Sequence, residues 1–153
     1  MRAEDRPPFE VVSTKLGFAV LSDETVIYLR PVIVGIAELG PRMPTGLNLG
    51  TARQVGISLV ASKQLMEKVA DKPQPKEDEH LRRMDIWEFI DIVEKKAGFD
   101  LVRYRGSDGL NYLVRLEIEP NVVSRTLEYR DQLGNPIYHV SWSEKIQVQL
   151  ERG

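Results

Sequence analysis

The sequence predicts an α+β fold dominated by antiparallel sheet, and three observations carry the prediction. Residues 110–119 alternate with period two: Leu110, Tyr112, Val114, Leu116 and Ile118 fall on one side, Asn111, Arg115, Glu117 and Glu119 on the other. β-Branched residues crowd Thr25 to Leu39, TVIYLRPVIVGIAEL, which holds too few polar positions for one wet face. Asp85 to Gly98, DIWEFIDIVEKKAG, carries the marks of a capped helix. Asp85 stands at the N-cap with Glu88 three residues on, and Gly98 follows Lys95, Lys96 and Ala97 at the stop. Ile86, Phe89, Ile90, Val93 and Ala97 form one stripe at helical spacing, with Trp87 and Ile92 on its flanks.

Taken in order, residues 1–8 read as a polar, proline-rich arm. Phe9 to Leu21 reads as strand with a bulge at Gly17, and Ser22-Asp23-Glu24 as a turn. The Thr25–Leu39 strand is expected to need cover on both faces. Pro31, which cannot donate to a ladder, should break or bend it or mark an edge. Gly40 to Gly50, with three glycines and two prolines, reads as a loop. Thr51 with Gln54 could open a helix, but alternation of Val55, Ile57 and Leu59 favours a strand over 53–60. A short, weaker helix at about 62–70 then follows, capped by Ser62.

Residues 71–80, DKPQPKEDEH, hold two prolines and no apolar side chain and read as a linker. The chain is therefore expected to be a single domain over 1–153, or two lobes, 9–70 mainly β and 81–153 helix plus antiparallel sheet. Beyond the helix at about 85–97 come strands at 99–105 and 110–119, closed by the Ser107-Asp108-Gly109 turn. Pro120-Asn121 is expected to turn the chain into 122–130. DQLGNP turns it again into 137–142 and 146–150. The result is a β-meander with one dry face, which the helix at 85–97 should cover. Phe89 belongs to that buried stripe, so its truncation should open a cavity.

Composition narrows the function classes. The chain has 153 residues, 42% of them apolar and 29% charged, which suits a folded soluble protein. A net charge of −2, evenly spread, gives no global attraction to nucleic acid or to an anionic membrane. The absence of cysteine excludes disulfides, thiolate metal sites and cysteine nucleophiles. No segment is long and apolar enough to span a bilayer or to resemble a signal peptide, so a cytoplasmic protein is expected. Few Asn and Gln beside many Glu, Lys and Arg match thermophile usage.

Candidate chemistry is sparse, and no catalytic residue, cofactor or metal site is nominated. Glu77, Asp78, Glu79 and His80 could be read as an oxygen-rich metal cluster, but adjacent acids in a linker more often hold water. His139 and Ser141 share one strand face without the surroundings of a nucleophile. Gly46 to Gly50 lacks the Lys-Ser/Thr of a phosphate loop. Glu88, Asp91 and Glu94 read as a solvated helix face, with Lys95 pairing Asp91.

Two surface readings remain. Arg103, Arg105, Arg115 and Arg125, if they project from one sheet face, could track a phosphate backbone. Trp87, Ile92 and Trp142 represent apolar surface in excess of one small core, which points to self-association, with a dimer favoured. The function class expected is therefore a non-enzymatic structural or interaction protein that forms a homo-oligomer. The alternatives are a nucleic-acid-binding accessory protein and, third, a small-molecule binder or enzyme.

Overall fold

The computed structural model describes residues 9–152; the expected N-terminal arm lies outside the described residues. The strands are β1 (Phe9–Lys15), β2 (Gly17–Leu21), β3 (Val26–Met43), β4 (Gly46–Val60), β5 (Glu88–Ile90), β6 (Ile92–Lys96), β7 (Gly98–Arg105), β8 (Asn111–Arg130) and β9 (Pro136–Leu150). One α-helix, α1 (Lys63–Lys68), lies between β4 and β5. Every strand pairing is antiparallel. Strand makes up 67% of the described residues and helix only 9%, so sheet dominates more heavily than an α+β reading implies.

Two sheets pack face to face around the core. In the five-stranded sheet β8 is central, with β7 and then β1 on one flank, β9 on the other, and β5 following β7 along β8. The four-stranded sheet runs β4-β3-β2-β6. Val102, Val114, Leu116 and Ile118 of the first pack against Ala19, Leu21, Ile27, Leu29 and Ile33 of the second. The alternation over 110–119 is thus realised from Tyr112 onward, while Leu110 belongs to the turn and is exposed. The core takes residues from both sides of the 71–80 segment.

The expected helix over 85–97 does not form. Met84–Ile86 makes one 3₁₀ turn, and the chain then runs extended as β5 and β6. Ile86, Trp87, Phe89, Ile90, Ile92 and Val93 are β-branched or aromatic, and both sheets need a strand at this place. β5 pairs with β8 and β6 with β2, so the segment crosses from one sheet to the other at Asp91, whose carbonyl accepts from Ser22 N at 2.9 Å. Phe89 is 81% exposed rather than in the core. Gly98 is not a helix stop: a Cβ built on Gly17 would lie 2.6 Å from Gly98 N, so two crossing backbones require glycine here. The dry face of the C-terminal sheet is covered by the four-stranded sheet, not by a helix.

Pro31 marks a local edge of β3, one of the outcomes expected for it, and Pro120, expected to turn the chain, sits inside β8 for the same reason. β2 pairs with β3 only as far as Leu29, so Pro31 lies where β3 has lost its neighbour on that flank. Likewise β7 reaches Ile118 of β8 and β5 begins at Val123, leaving Pro120 on a vacant flank. The missing N–H therefore costs no ladder bond on those sides. The distal part of the β3–β4 hairpin replaces the expected Gly40–Gly50 loop, its ladder running out to Met43 opposite Gly46. Smaller features hold. The strand over 53–60 is the second half of β4. Ser62 caps α1, its Oγ accepting from Leu65 N at 3.3 Å, although the helix stops at Lys68.

Candidate functional site

The two long sides of the sandwich differ. On one side the chain itself closes the gap, passing between sheets at Leu16 and again at Ala97. On the other side β4 and β9 are the terminal strands of their sheets, bridged by Arg53 Nε donating to Glu144 Oε2 at 2.7 Å. Val55, Ile57 and Leu59 continue the inward-pointing row of β4, opposite Pro31, Leu29 and Ile27. Ile57 is nevertheless 46% exposed, because nothing described lies beyond it.

Among the described residues β4 pairs only with β3, so its other edge presents unpaired backbone donors and acceptors. Its fifteen residues, GLNLGTARQVGISLV, contain one charge and no proline. The outer face of the same sheet is also apolar. Val26, Tyr28, Val32 and Val34 of β3 lie there beside Phe18 and Val20 of β2, with Tyr28, Val34 and Val60 exposed. The cover expected on both faces of this strand is present on one face among the described residues.

The nominated interface residues lie elsewhere. Ile92 and Trp142 are half-buried and pack against the core. Trp87 donates from Nε1 to the His80 carbonyl at 3.0 Å and lies against the His80 ring. His80 thereby holds the segment before β5 in place and also stacks near Tyr129. The nominated arginines separate into two environments. Arg103, Arg105 and Arg115 share the outer face of the five-stranded sheet, as alternation predicts. Arg103 is held by Glu10 at 2.6 Å and Glu151 at 2.7 Å, whose carboxylates raise its pKa further, Glu151 most. Arg115 pairs with Glu117 and sits 4.2 Å over the Phe99 ring.

Arg125 does not share that face. The bulge between Pro120 and Val122 shifts the alternation by one residue and turns Arg125 between the sheets. There its Nη1 donates to Asp23 at 2.8 Å and its Nη2 to Glu88. Asp23 also accepts from Tyr138 at 2.6 Å and from Thr25 N at 3.0 Å. Burial alone would raise the Asp23 carboxyl. The hydrogen bonds from Tyr138, Thr25 and Arg125 outweigh it and hold the group below the usual carboxylate range. The same burial, with Asp23 alongside, pushes the Tyr138 phenol well above its ordinary value. The turn at Ser22-Asp23-Glu24 was legible in the sequence, but this cluster was not, since Asp23 lies over a hundred residues from both Arg125 and Tyr138.

A second polar cluster fastens the hairpin tip. Glu38 accepts from Tyr104 at 2.6 Å, from Ser107 N at 3.1 Å and from the Ser107 hydroxyl. Tyr112 donates to Asp108 at 2.6 Å and accepts from Leu47 N at 3.2 Å, beneath Gly46 with its φ of 120°. His139 and Ser141 are exposed on β9, and Ser141 donates to the Val122 carbonyl at 3.3 Å. Among the described residues no three His, Asp or Glu side chains converge as a metal site, and no described helix is long and apolar enough to cross a membrane. The hollows on the surface are open. One of about 560 Å³ lies where β5 and β6 diverge from β8, lined by Phe89, Val93 and Val122.

No protein-family model matches this chain, and no curated protein and no solved structure is significantly similar to it. The free edge of β4 is the site with a defined physical consequence. One signal for it was present in the sequence: Gln54 to Ser62 is nine residues without a charge, in a chain that is 29% charged.

Proposed function

We propose that this protein is a non-enzymatic structural or interaction protein that self-associates, as a dimer, through the open side of its sandwich. The observation that supports the reading is the unprotected edge of β4. Soluble proteins blunt such edges with lysine, proline, bulges or short length, because an unpaired strand templates the addition of another. β4 has fifteen residues, and its single charge, Arg53, is engaged with Glu144. The apolar outer face of the same sheet adds surface whose removal from water favours association.

Sedimentation equilibrium over a wide concentration series tests the reading. The expected result is a mass of two chains that dissociates on dilution. A single-chain mass at every concentration would refute it.

A further inference from the structure

We infer that the partner on β4 is a second copy of this chain, paired antiparallel across a twofold axis at Ile57. The inference deepens the self-association reading and rests on it. An edge strand offers backbone groups at a fixed spacing, and only another extended backbone can satisfy them in series. The other exposed edges of the sandwich are poorer templates. β6 is five residues long with three charges, Glu94, Lys95 and Lys96. β1 is seven residues long, is interrupted by a bulge between Val11 and Ser13, and carries Glu10 and Lys15. β9 matches β4 in length but begins with proline and carries adjacent Glu144 and Lys145.

The sequence of β4 is complementary to itself around Ile57. In the antiparallel register centred there, Val55 meets Leu59 of the second copy, Ile57 meets Ile57, and Leu59 meets Val55. These residues continue the core row, so the pairing would join the two sandwich interiors into one and bury the exposed part of Ile57. On the outer side Gly56 meets Ser58, and Gln54 meets Val60, one of the most exposed valines of the protein. Arg53 falls opposite Ala61, so no like charges face each other. A twofold axis repeats the same patch on both subunits, so the contact closes at two copies and does not propagate. Pairing with β6 of a neighbour would leave ten of the fifteen β4 residues without a ladder partner, against eight in the Ile57 register.

A chain without cysteine permits a direct test. Ile57→Cys places one thiol per chain on the axis, where antiparallel partners hold their Cβ atoms about 4.5–5.5 Å apart, close to disulfide reach. Oxidation of I57C at concentrations where the wild type is dimeric should give a cross-linked dimer in high yield. K145C on the β9 edge should not cross-link. Ile57→Lys should shift the protein to monomer with an unchanged circular dichroism spectrum, since Ile57 is half in water already. A monomeric wild type would overturn both the inference and the self-association reading. A dimeric wild type in which I57K stays dimeric and I57C fails to cross-link would overturn the β4 axis alone, leaving self-association to another surface.

Discussion

Asp23→Ala probes the clamp that ties the two sheets together at one end of the sandwich. Asp23 belongs to the turn between β2 and β3; its partners Arg125 and Tyr138 belong to β8 and β9. The Asp23 and Arg125 side chains are only 10% and 11% exposed, so the pair lies largely outside bulk water. Removing one partner of a buried ion pair costs about 3–5 kcal/mol, mostly by stranding the other charge. Here Glu88, which is 58% exposed, still contacts Arg125, so the loss should fall near the lower end of that range. Near 150 residues each kcal/mol is worth about 2–4 °C in melting temperature, so D23A should melt about 6–12 °C lower. Thermal and denaturant unfolding of D23A, R125M and the double variant form the assay. The double variant should lose about 0.5–3 kcal/mol less than the sum of the singles. A D23A protein within about 0.5 kcal/mol of wild type would show that the cluster does not join the sheets.

Other outcomes follow from the same geometry. Phe89→Ala should leave stability within about 0.5 kcal/mol, because Phe89 is 81% exposed. Leu116→Ala should cost about 2–5 kcal/mol by opening a cavity in the core; equal losses in urea unfolding would restore a buried role for Phe89. On the acid side, hydrogen bonds hold Glu38 below its ordinary 4.5 and Asp23 below its ordinary 3.8. A depressed folded pKa contributes stability that is fully present above the unfolded value and fades as pH falls through the folded one. Stability should therefore be level near neutrality and drop below pH 4.5, less steeply in Glu38→Gln. On the alkaline side the Glu38 carboxylate pushes the Tyr104 phenol up from 10.0 to about 12. A raised folded pKa reverses the sign, so stability should fall as pH rises above 10.0. Tyr104→Phe should flatten that limb, and an unchanged slope would remove the Glu38–Tyr104 bond from the account.

Local alternation made most of the strands legible. Tyr112, Val114, Leu116 and Ile118 read correctly because one face of β8 meets the core and the other meets water. The segment 85–97 misled because Asp85, Glu88 and Gly98 satisfy helix-end rules, while the strands that claim it, β2 and β8, lie far away in sequence. Helix-end signals then lose to tertiary pairing, which the β-branched and aromatic content of the segment also favours. Pro120 misled for a related reason, while Pro31 does lie at a local edge. Whether a proline interrupts a strand depends on whether a neighbour lies on its nitrogen side, which only the assembled sheet reveals. Arg125 changed face through a bulge that alternation cannot anticipate. Trp87, Ile92 and Trp142 stood out as apolar surface in excess of one small core; Ile57 and Val60, which are exposed, lie in an uncharged stretch that reads as an ordinary strand.

Amide hydrogen exchange along Gln54–Val60 tests the β4 edge most directly. Amides that point away from β3 have no partner among the described residues of one chain, so in a monomer they exchange like those of any open edge. At concentrations where the protein is dimeric they should be protected, and the protection should disappear on dilution or in I57K. Fast exchange of those amides at every concentration would contradict assembly through β4.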